Sequence, residues 1–370
     1  MNIWFTRGLS VTADAISTAR FDPSLMGATF MASHTDSNAI VQLAADTFIV
    51  EPKMSGAAYA AWVLEQARAC KVDLIVVQRH PDAIWEMRDA FTDAGIRLLI
   101  AARPEVRKLL DDKAAFQTDL AAPELVMAGV AGHAFATFED VEGFENALTF
   151  VKADPATRHG LCLKPVHGIF GAGFRRLDTD GQDLQRMLSS DPEDLHRMPL
   201  AGFRSMLASA GGCPKMMLMP YLPGVERSVD FVARDGEVVM AVARRKVGKD
   251  RVMETVGASI ETARILARRY GLNGICNLQT RECDGREVVL EINPRMAGGM
   301  SQTFPVGVNL SGVSLACALG RPLNVPDFRS DVVSMPVKVD LMVDPRVRVI
   351  GMAPVSEQGA THIPNSAILN

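Results

Sequence analysis

Three segments of the chain hold side chains whose types and spacing could do chemistry. In Leu163-Lys164-Pro165-Val166-His167-Gly168-Ile169-Phe170-Gly171-Ala172-Gly173-Phe174, a lysine ends an apolar strand-like run and three glycines follow within a turn. Glycines let backbone N–H groups crowd around a phosphate, and a nearby lysine adds a point charge. A glycine-rich hairpin tip has the same pattern. The spacing is neither G-x-G-x-x-G nor G-x-x-x-x-G-K-[ST], so the Rossmann and P-loop readings both fail. His167, beside the glycines, reads as structural or solvent-facing. The second segment is an apolar run that breaks at Met219-Pro220-Tyr221-Leu222-Pro223-Gly224 and resumes as a strand carrying Glu226 and Asp230. The third is Cys276-Asn277-Leu278-Gln279, joined later in the chain by Glu291-Ile292-Asn293-Pro294-Arg295. Glu291 and Asn293 are two apart on a strand and face one side; Gln279 lies across a hairpin from them. Three oxygen donors converging there suit Mg²⁺, a hard cation that fills its remaining positions with waters or phosphates. One such pair alone is more simply a satisfied polar pair at a sheet edge.

Taken in this order, Lys113, Lys164 with its glycines, the 219–224 hinge with Glu226, and Gln279 with Glu291-Ile-Asn293-Pro-Arg295 resemble the ATP-grasp superfamily. The Asn-Leu-Gln and Glu-Ile-Asn-Pro-Arg elements look most like its carbamoyl-phosphate-synthetase-like branch. The resemblance covers about residues 1–325. It implies that Lys113 and Lys164 contact the nucleotide phosphates and that Gly168, Gly171 and Gly173 close over them. It implies adenine on the backbone of Met219, Pro220, Tyr221 and Leu222, and ribose hydroxyls on Glu226. Gln279, Glu291 and Asn293 match the Mg²⁺ ligands, with Mn²⁺ able to substitute. Arg295 matches an arginine beside the transferring phosphate, where a guanidinium can form a two-pronged contact with developing charge.

The chain departs from the family pattern at two of these positions. Many relatives have Glu where Pro220 stands; proline keeps the carbonyl that would accept from adenine and lacks only the N–H. The N–H donor is expected from Leu222. Some relatives have an acid where Gln279 stands, which leaves one formal negative charge and makes metal binding lean on the ATP phosphates. Arg244, Arg245, Lys246, Lys249 and Arg251 form a basic run. It reads either as a clamp for phosphate or an anionic substrate, with Arg244 the catalytic candidate, or as a solvated loop. Asp230 reads as a supporting residue or part of a strand's polar face.

The activity this implies is an ATP-dependent ligase. A carboxylate would be activated as an acyl phosphate and coupled to an amine, with ADP and phosphate released. Positioning and electrostatics carry such chemistry, so no covalent protein nucleophile is needed. No Ser/His/Asp or Cys/His constellation competes with this reading. Two others remain open: a carbamate- or carboxyphosphate-activating enzyme, and a non-catalytic ATP-binding module.

The elements that must position these residues follow from periodicity. Residues 1–105 alternate apolar strands at 2–6, 28–32, 47–50, 74–77 and 96–100 with helical stretches at 57–70 and 81–94. That rhythm predicts an α/β domain with an open, mostly parallel sheet, the domain that commonly precedes the grasp. A polar helical connector spans 103–120. From there the pattern is α+β, the ATP-grasp part, with a small lobe to residue 215 and a large lobe over 216–325. A mostly helical stretch is predicted at 191–210. Hairpins turn at Arg234-Asp235-Gly236-Glu237 and at Asp284-Gly285. An amphipathic helix is predicted over 259–270 and a small-residue helix over 309–319. Residues 326–370 form an extension without a family counterpart, with one strand at 333–342.

Composition sets the outer bounds. With 370 residues, 48% hydrophobic and 22% charged, the chain can bury several cores, and it is neither disordered, collagen-like nor coiled-coil. A formal charge of −4 gives no nucleic-acid footprint. Six cysteines without C-x-x-C spacing read as reduced core thiols of a cytoplasmic protein. The N-terminus lacks the apolar run of a signal peptide, and no segment reads as a membrane span. The partners are then small-molecule carboxylate and amine substrates. The oligomeric state stays open, a homodimer among the options.

Overall fold

The computed structural model describes residues 1–168, 171–178, 196–248, 250–323 and 328. Lys249, the loop residues Ile169 and Phe170, the first part of the 191–210 stretch and nearly all of the 326–370 extension, with its strand at 333–342, lie outside the described residues.

The first sheet holds β1 (Asn2–Phe5), β2 (Thr29–His34), β3 (Thr47–Val50), β4 (Leu74–Val76) and β5 (Arg97–Leu99) in the order β3-β2-β1-β4-β5. Every pairing is parallel. Crossovers run through α1 (Val11–Ala19), α2 (Gly56–Ala69), and α3 (Pro81–Glu86) with α4 (Arg88–Asp93). The single helix expected over 81–94 is thus two short ones, broken at Met87, whose backbone leaves helical geometry at φ −97°, ψ 8°. One face of the sheet packs Trp4 and Ile75 on α2, where Trp62 meets Trp4 edge-on at 5.8 Å. The opposite face buries Ile3 and Phe5 against α1 and residues of the far C-terminal half.

The connector is three short helices, α5 (Pro104–Asp111), α6 (Lys113–Asp119) and α7 (Pro123–Met127). Asp112 caps α6 by accepting from the Ala114 and Ala115 N–H groups, each at 2.9 Å. This cap fixes Lys113 at the first helical position.

The second sheet contains β6 (Ala136–Phe138), β7 (Leu161–Pro165), β8 (Arg175–Asp178), β9 (Arg197–Pro199) and β10 (Met216–Pro220). Its order is β6-β10-β7-β8-β9. α8 (Val141–Val151) and α9 (Leu200–Ala210) pack beneath it through Phe144, Leu148, Phe203 and Leu207. Within the described part of the stretch expected to be helical from 191, a strand at 197–199 precedes a helix over 200–210. Met216–Pro220 pairs with β6 and β7, so the hinge strand belongs to this second sheet and not to the large lobe in which it was expected.

The third sheet is antiparallel: β11 (Glu226–Arg234), β12 (Glu237–Val247), β13 (Asp250–Glu254), β14 (Gly274–Cys283) and β15 (Arg286–Asn293), in the order β13-β12-β11-β14-β15. Asp235-Gly236 and Asp284-Gly285 turn the β11–β12 and β14–β15 hairpins with positive φ at both residues, as primed two-residue turns require. β13 escapes prediction because its sequence, Asp-Arg-Val-Met-Glu, has no apolar alternation. Val229, Phe231, Leu278 and Ile292 point to one face and bury against α10 (Ala258–Tyr270). The opposite face carries Ser228, Asp230, Asn277, Gln279, Glu291 and Asn293, and farther along it meets α11 (Leu310–Leu319) through Val232. Period-two alternation therefore separates a core face from a polar face. Among the described residues, no helix is long and apolar enough to cross a membrane.

Candidate active site

The polar face of the third sheet is ordered in rows by register. Arg244, Ser228, Gln279 and Glu291 are cross-strand partners in one row; Asp230, Asn277 and Asn293 fill the next. Register slips between Gln279 and Thr280, so Leu290 has no cross-strand partner. The bulge brings both Leu290 and Glu291 to the wall of one cavity.

That cavity, of about 250 Å³, lies between the second and third sheets. Lys113, Lys164, Gly168 and Gly171 line it from one side and Glu226, Gln279 and Glu291 from the other. Met219, Tyr221 and Leu222 close its end. Cys162 and Met219 line it and continue into an apolar cluster with Met217 and Val288. The fold thus gathers residues up to 178 positions apart, Lys113 and Glu291, around one space.

The charges inside face each other. Lys113 Nζ donates to the Gly168 carbonyl at 2.8 Å and sits 3.6 Å from Glu291 Oε2. Lys164, on β7, is half-buried; desolvation pushes its ammonium pKa below the usual lysine range, while the Glu291 charge pulls the other way. Two ammonium groups thus face a single carboxylate, an excess of positive charge that suits a polyanion. Gly173 approaches Pro165 so closely that a Cβ there would lie 2.7 Å from Pro165 Cγ, at φ +79°. A side chain at 173 would push the turn away from β7.

The hinge positions differ among themselves. The Pro220 carbonyl meets the Cys162 thiol at 3.6 Å, and Pro220 does not line the cavity. The Tyr221 N–H is taken by the Gly160 carbonyl at 2.9 Å. The Leu222 N–H has no acceptor among the described residues. The Tyr221 ring lies under two guanidinium groups, Arg176 at 4.2 Å and Arg281 at 5.2 Å. Neither arginine stands out in the sequence, since nothing marks an isolated arginine on a strand as facing an aromatic ring.

Glu291, Gln279 and Asn293 offer one carboxylate and two amides on one sheet face, a donor set that fits Mg²⁺. Asn293 presents its amide nitrogen to Glu291 Oε1 at 3.0 Å, while its oxygen accepts from Arg295 Nη2 at 3.1 Å. Ligation through the Asn293 oxygen requires the amide to turn over. Asn277, register partner of Asn293, has a buried amide oxygen with no partner among the described residues.

The basic run does not act as one unit. Arg244 is buried, and its Nε donates to Asp230 at 2.6 Å and its Nη2 to Ser228 at 2.9 Å. Asn277 completes the network, donating to Asp230 Oδ1 at 2.8 Å. Arg244 is in the lining of neither this cavity nor a larger one beside the first sheet, and its bonds hold it as a brace within the polar face. Arg245 pairs with Glu254 at 2.5 Å and Arg251 donates to the Asp250 carbonyl at 2.8 Å. Lys246 is exposed. His167 is exposed too, with Nδ1 3.2 Å from the Asp111 carbonyl oxygen. Burial pushes the Cys162 thiol up to about 12 and raises Cys276 as well, so neither is a thiolate nucleophile. Cys70 and Cys213 are half-buried rather than core thiols.

Residues 212–339 match a family model described as ATP-grasp in the biosynthetic pathway with Ter operon. No curated protein matches the chain. Among solved structures, the ADP complex of N5-carboxyaminoimidazole ribonucleotide synthetase superposes with a TM-score of 0.60 at 13% identity, covering 89% of this chain and 79% of that one. The biotin carboxylase domain of Hydrogenobacter thermophilus 2-oxoglutarate carboxylase, with MgADP, ADP and bicarbonate, gives 0.56 at 15% identity, covering 87% and 70%. L-amino acid ligase from Bacillus licheniformis gives 0.52 at 14% identity, covering 86% and 74%. The three sheets and these likenesses show an ATP-grasp fold.

Proposed function

We propose that the protein is an ATP-dependent ligase that activates a carboxylate as an acyl phosphate and couples it to an amine. The observation that carries this reading is the joint presence, around one cavity, of Lys113, Lys164, Gln279 and Glu291, with Arg295 tied to Glu291 through Asn293. A nucleotide binder needs the lysines; the chain of groups from Glu291 to Arg295 suits phosphoryl transfer. The likeness to an amino acid ligase and to two proteins named for carboxylation or carboxyamino chemistry supports the same class.

In this reading Lys113 and Lys164 hold the phosphates, and Gly168 and Gly171 close over them. Met219, Tyr221 and Leu222 surround adenine, with the free Leu222 N–H as donor, and Glu226 accepts from the ribose. Glu291, Gln279 and Asn293 would hold Mg²⁺, which supplies charge neutralisation to the phosphates. A carboxylate oxygen attacks the γ-phosphorus, the bond to the β-phosphate oxygen breaks and ADP leaves. Arg295 stabilises charge on the phosphoryl group in transit. The amine then attacks the acyl carbon, the carbon–oxygen bond to phosphate breaks, and the amine's proton passes to solvent. The cell's cytoplasm, which holds ATP, Mg²⁺ and reduced thiols, is the fitting compartment.

The test is isotopic. Candidate carboxylic acids labelled with ¹⁸O in the carboxylate are incubated with ATP, Mg²⁺ and an amine. One label per turnover should appear in the released phosphate. ADP release that leaves the phosphate unlabelled would reject the acyl phosphate; label arriving only from bicarbonate would favour carboxyphosphate formation.

A further inference from the structure

Among the described residues, one group of three histidine, cysteine and acidic side chains comes within reach of a single ion: His159, Cys283 and Asp284. None of the three lines the cavity between the second and third sheets. His159 and Asp284 are 125 positions apart, so no spacing in the sequence announces the group.

His159 closes a 3₁₀ turn, Pro155–His159, in the lobe of the second sheet. Asp154 sets that turn. Its Oδ1 accepts from the Ala156 N–H at 2.8 Å, and its carbonyl accepts from the Thr157 hydroxyl at 2.6 Å. The next residue, Gly160, has φ +104° and accepts from the Tyr221 N–H at 2.9 Å, which ties the turn to the hinge. From the third sheet, Cys283 ends β14 and Asp284 begins the turn into β15. Asp284 holds φ +53°, so the primed turn fixes how both residues leave the hairpin. Cys283 packs in the same apolar cluster as Met219 and Leu222. The group therefore joins the two lobes behind the hinge.

The donor atoms converge. His159 Nε2 lies 2.9 Å from Asp284 Oδ1, and Cys283 Sγ lies 3.6 Å from Asp284 Oδ2. One ligand atom from each residue falls within 4.8 Å of the others. Neighbouring donors on a tetrahedral zinc ion stand roughly 3.3 to 3.8 Å apart, so shifts of about 1 Å suffice. Cys283 is 6% exposed, while the His159 and Asp284 side chains are 27% and 39% exposed. That gradient gives the ion a buried anchor and a solvent side, from which a water completes the set.

An ion pair explains only part of the group. Arg158 Nη2 reaches Asp284 Oδ1 at 2.6 Å, and that pair needs neither the imidazole nor the thiol. Arg158 occupies the place of a cation, and its side chain is 56% exposed, free to turn into solvent. The donors are one nitrogen, one sulfur and one oxygen. Mg²⁺ and Ca²⁺ prefer oxygen alone, whereas this mixture suits Zn²⁺.

We propose that His159, Cys283 and Asp284 form a Zn²⁺ site, apart from the Mg²⁺ position assigned to Glu291, that clamps the second-sheet lobe to the third-sheet lobe. On binding, Cys283 releases its thiol proton to solvent and Arg158 leaves Asp284. The site rests on this cluster and stands whether or not the ligase reading does.

The test is calorimetric titration of Zn²⁺ alone into the full chain, stripped by chelator and kept reduced. One ion should bind per chain. His159→Gln and Cys283→Ser should each weaken binding by at least about 100-fold, the upper cost of disturbing even a residue behind a ligand. Asp284→Asn keeps a residue that tolerates the left-handed backbone, so the turn survives, and it should weaken binding by at least about tenfold. Arg158→Ala should bind Zn²⁺ more tightly than the wild type, because the competing cation is gone; a merely structural ion pair predicts no such gain. Co²⁺ in place of Zn²⁺ should show a thiolate charge-transfer band in the near ultraviolet that Cys283→Ser abolishes. Absence of one-to-one binding, unchanged affinity in His159→Gln and Asp284→Asn, or a thiolate band that survives Cys283→Ser would overturn the assignment. So would loss of Zn²⁺ binding in Glu291→Ala, which would put the ion between the second and third sheets instead.

Discussion

Two cavities reach β14 of the third sheet, and they hold their charges differently. Around the cavity between the second and third sheets, two lysines face a carboxylate, and the ammonium of Lys164 is shifted downward by desolvation. Around the larger cavity, beside the first sheet, the cations are arginines, among them Arg79, clamped to the buried Glu51, and Arg7, unpaired among the described residues. Lysine is a mobile point charge, suited to phosphates that move and arrive with a metal. Arginine is a planar fork, suited to a single carboxylate held in one orientation. The difference teaches that there are two rooms joined by the Glu291–Asn293–Arg295 chain, one lined by lysines facing a carboxylate and one lined by arginines.

Removing the carboxylate of the first room should produce the largest effect. Glu291→Ala should cut Mg²⁺-dependent ADP formation by roughly 10³-fold, the upper scale for loss of one electrostatic stabiliser. Its thermal melt should barely move, because the side chain is half-exposed and opens no core. Near-normal turnover would take Glu291 out of the first room.

The joining residue should give a smaller and differently shaped loss. Arg295→Ala should lower turnover by about 10²-fold and leave ATP affinity within a few-fold, because its contact develops with the moving charge. Lysine at this position should rescue only part of the loss. Proportional loss of affinity and turnover would make Arg295 part of the nucleotide wall and remove the distinction between the rooms.

The smallest effect on activity, and a separate one on stability, concerns His133. Burial and then the nearby Lys164 charge depress its imidazole pKa from 6.5 to about 3. The unfolded chain therefore takes up a proton near pH 6.5 that the folded chain refuses until about pH 3. Stability should rise with pH across that window and level off above it. His133→Gln should flatten the rise and leave turnover at neutral pH unchanged. A wild-type melting temperature independent of pH from 4 to 7 would contradict this placement.

How legible these rooms were in the sequence differs sharply. The Lys164, Glu291, Asn293 and Arg295 positions stand in short local patterns, a lysine before glycines and a period-two acid–amide pair, so their faces followed from strand geometry. The parallel first sheet was equally readable from its apolar rhythm. The bond of Arg244 to Asp230 was not legible, because the two lie across a hairpin and a basic run looks the same whether its members reach solvent or a buried carboxylate. The second room was invisible. Arg7, Arg79 and Arg107 come from distant segments and none sits in a motif; only the strand order brings them together. The bulge at Gln279 was hidden likewise, since one unpaired residue leaves no mark on a hydrophobic pattern.

The central claim is that the cavity between the second and third sheets is the nucleotide room. Calorimetric titration of a non-hydrolysable ATP analogue with Mg²⁺ into the full chain and into Lys164→Ala tests it most directly. The wild-type chain should bind, more weakly once Mg²⁺ is removed, and Lys164→Ala should bind at least about tenfold more weakly, as expected for a lost charged contact to phosphate. Equal affinity in the two proteins, or no binding by the wild-type chain, would contradict it.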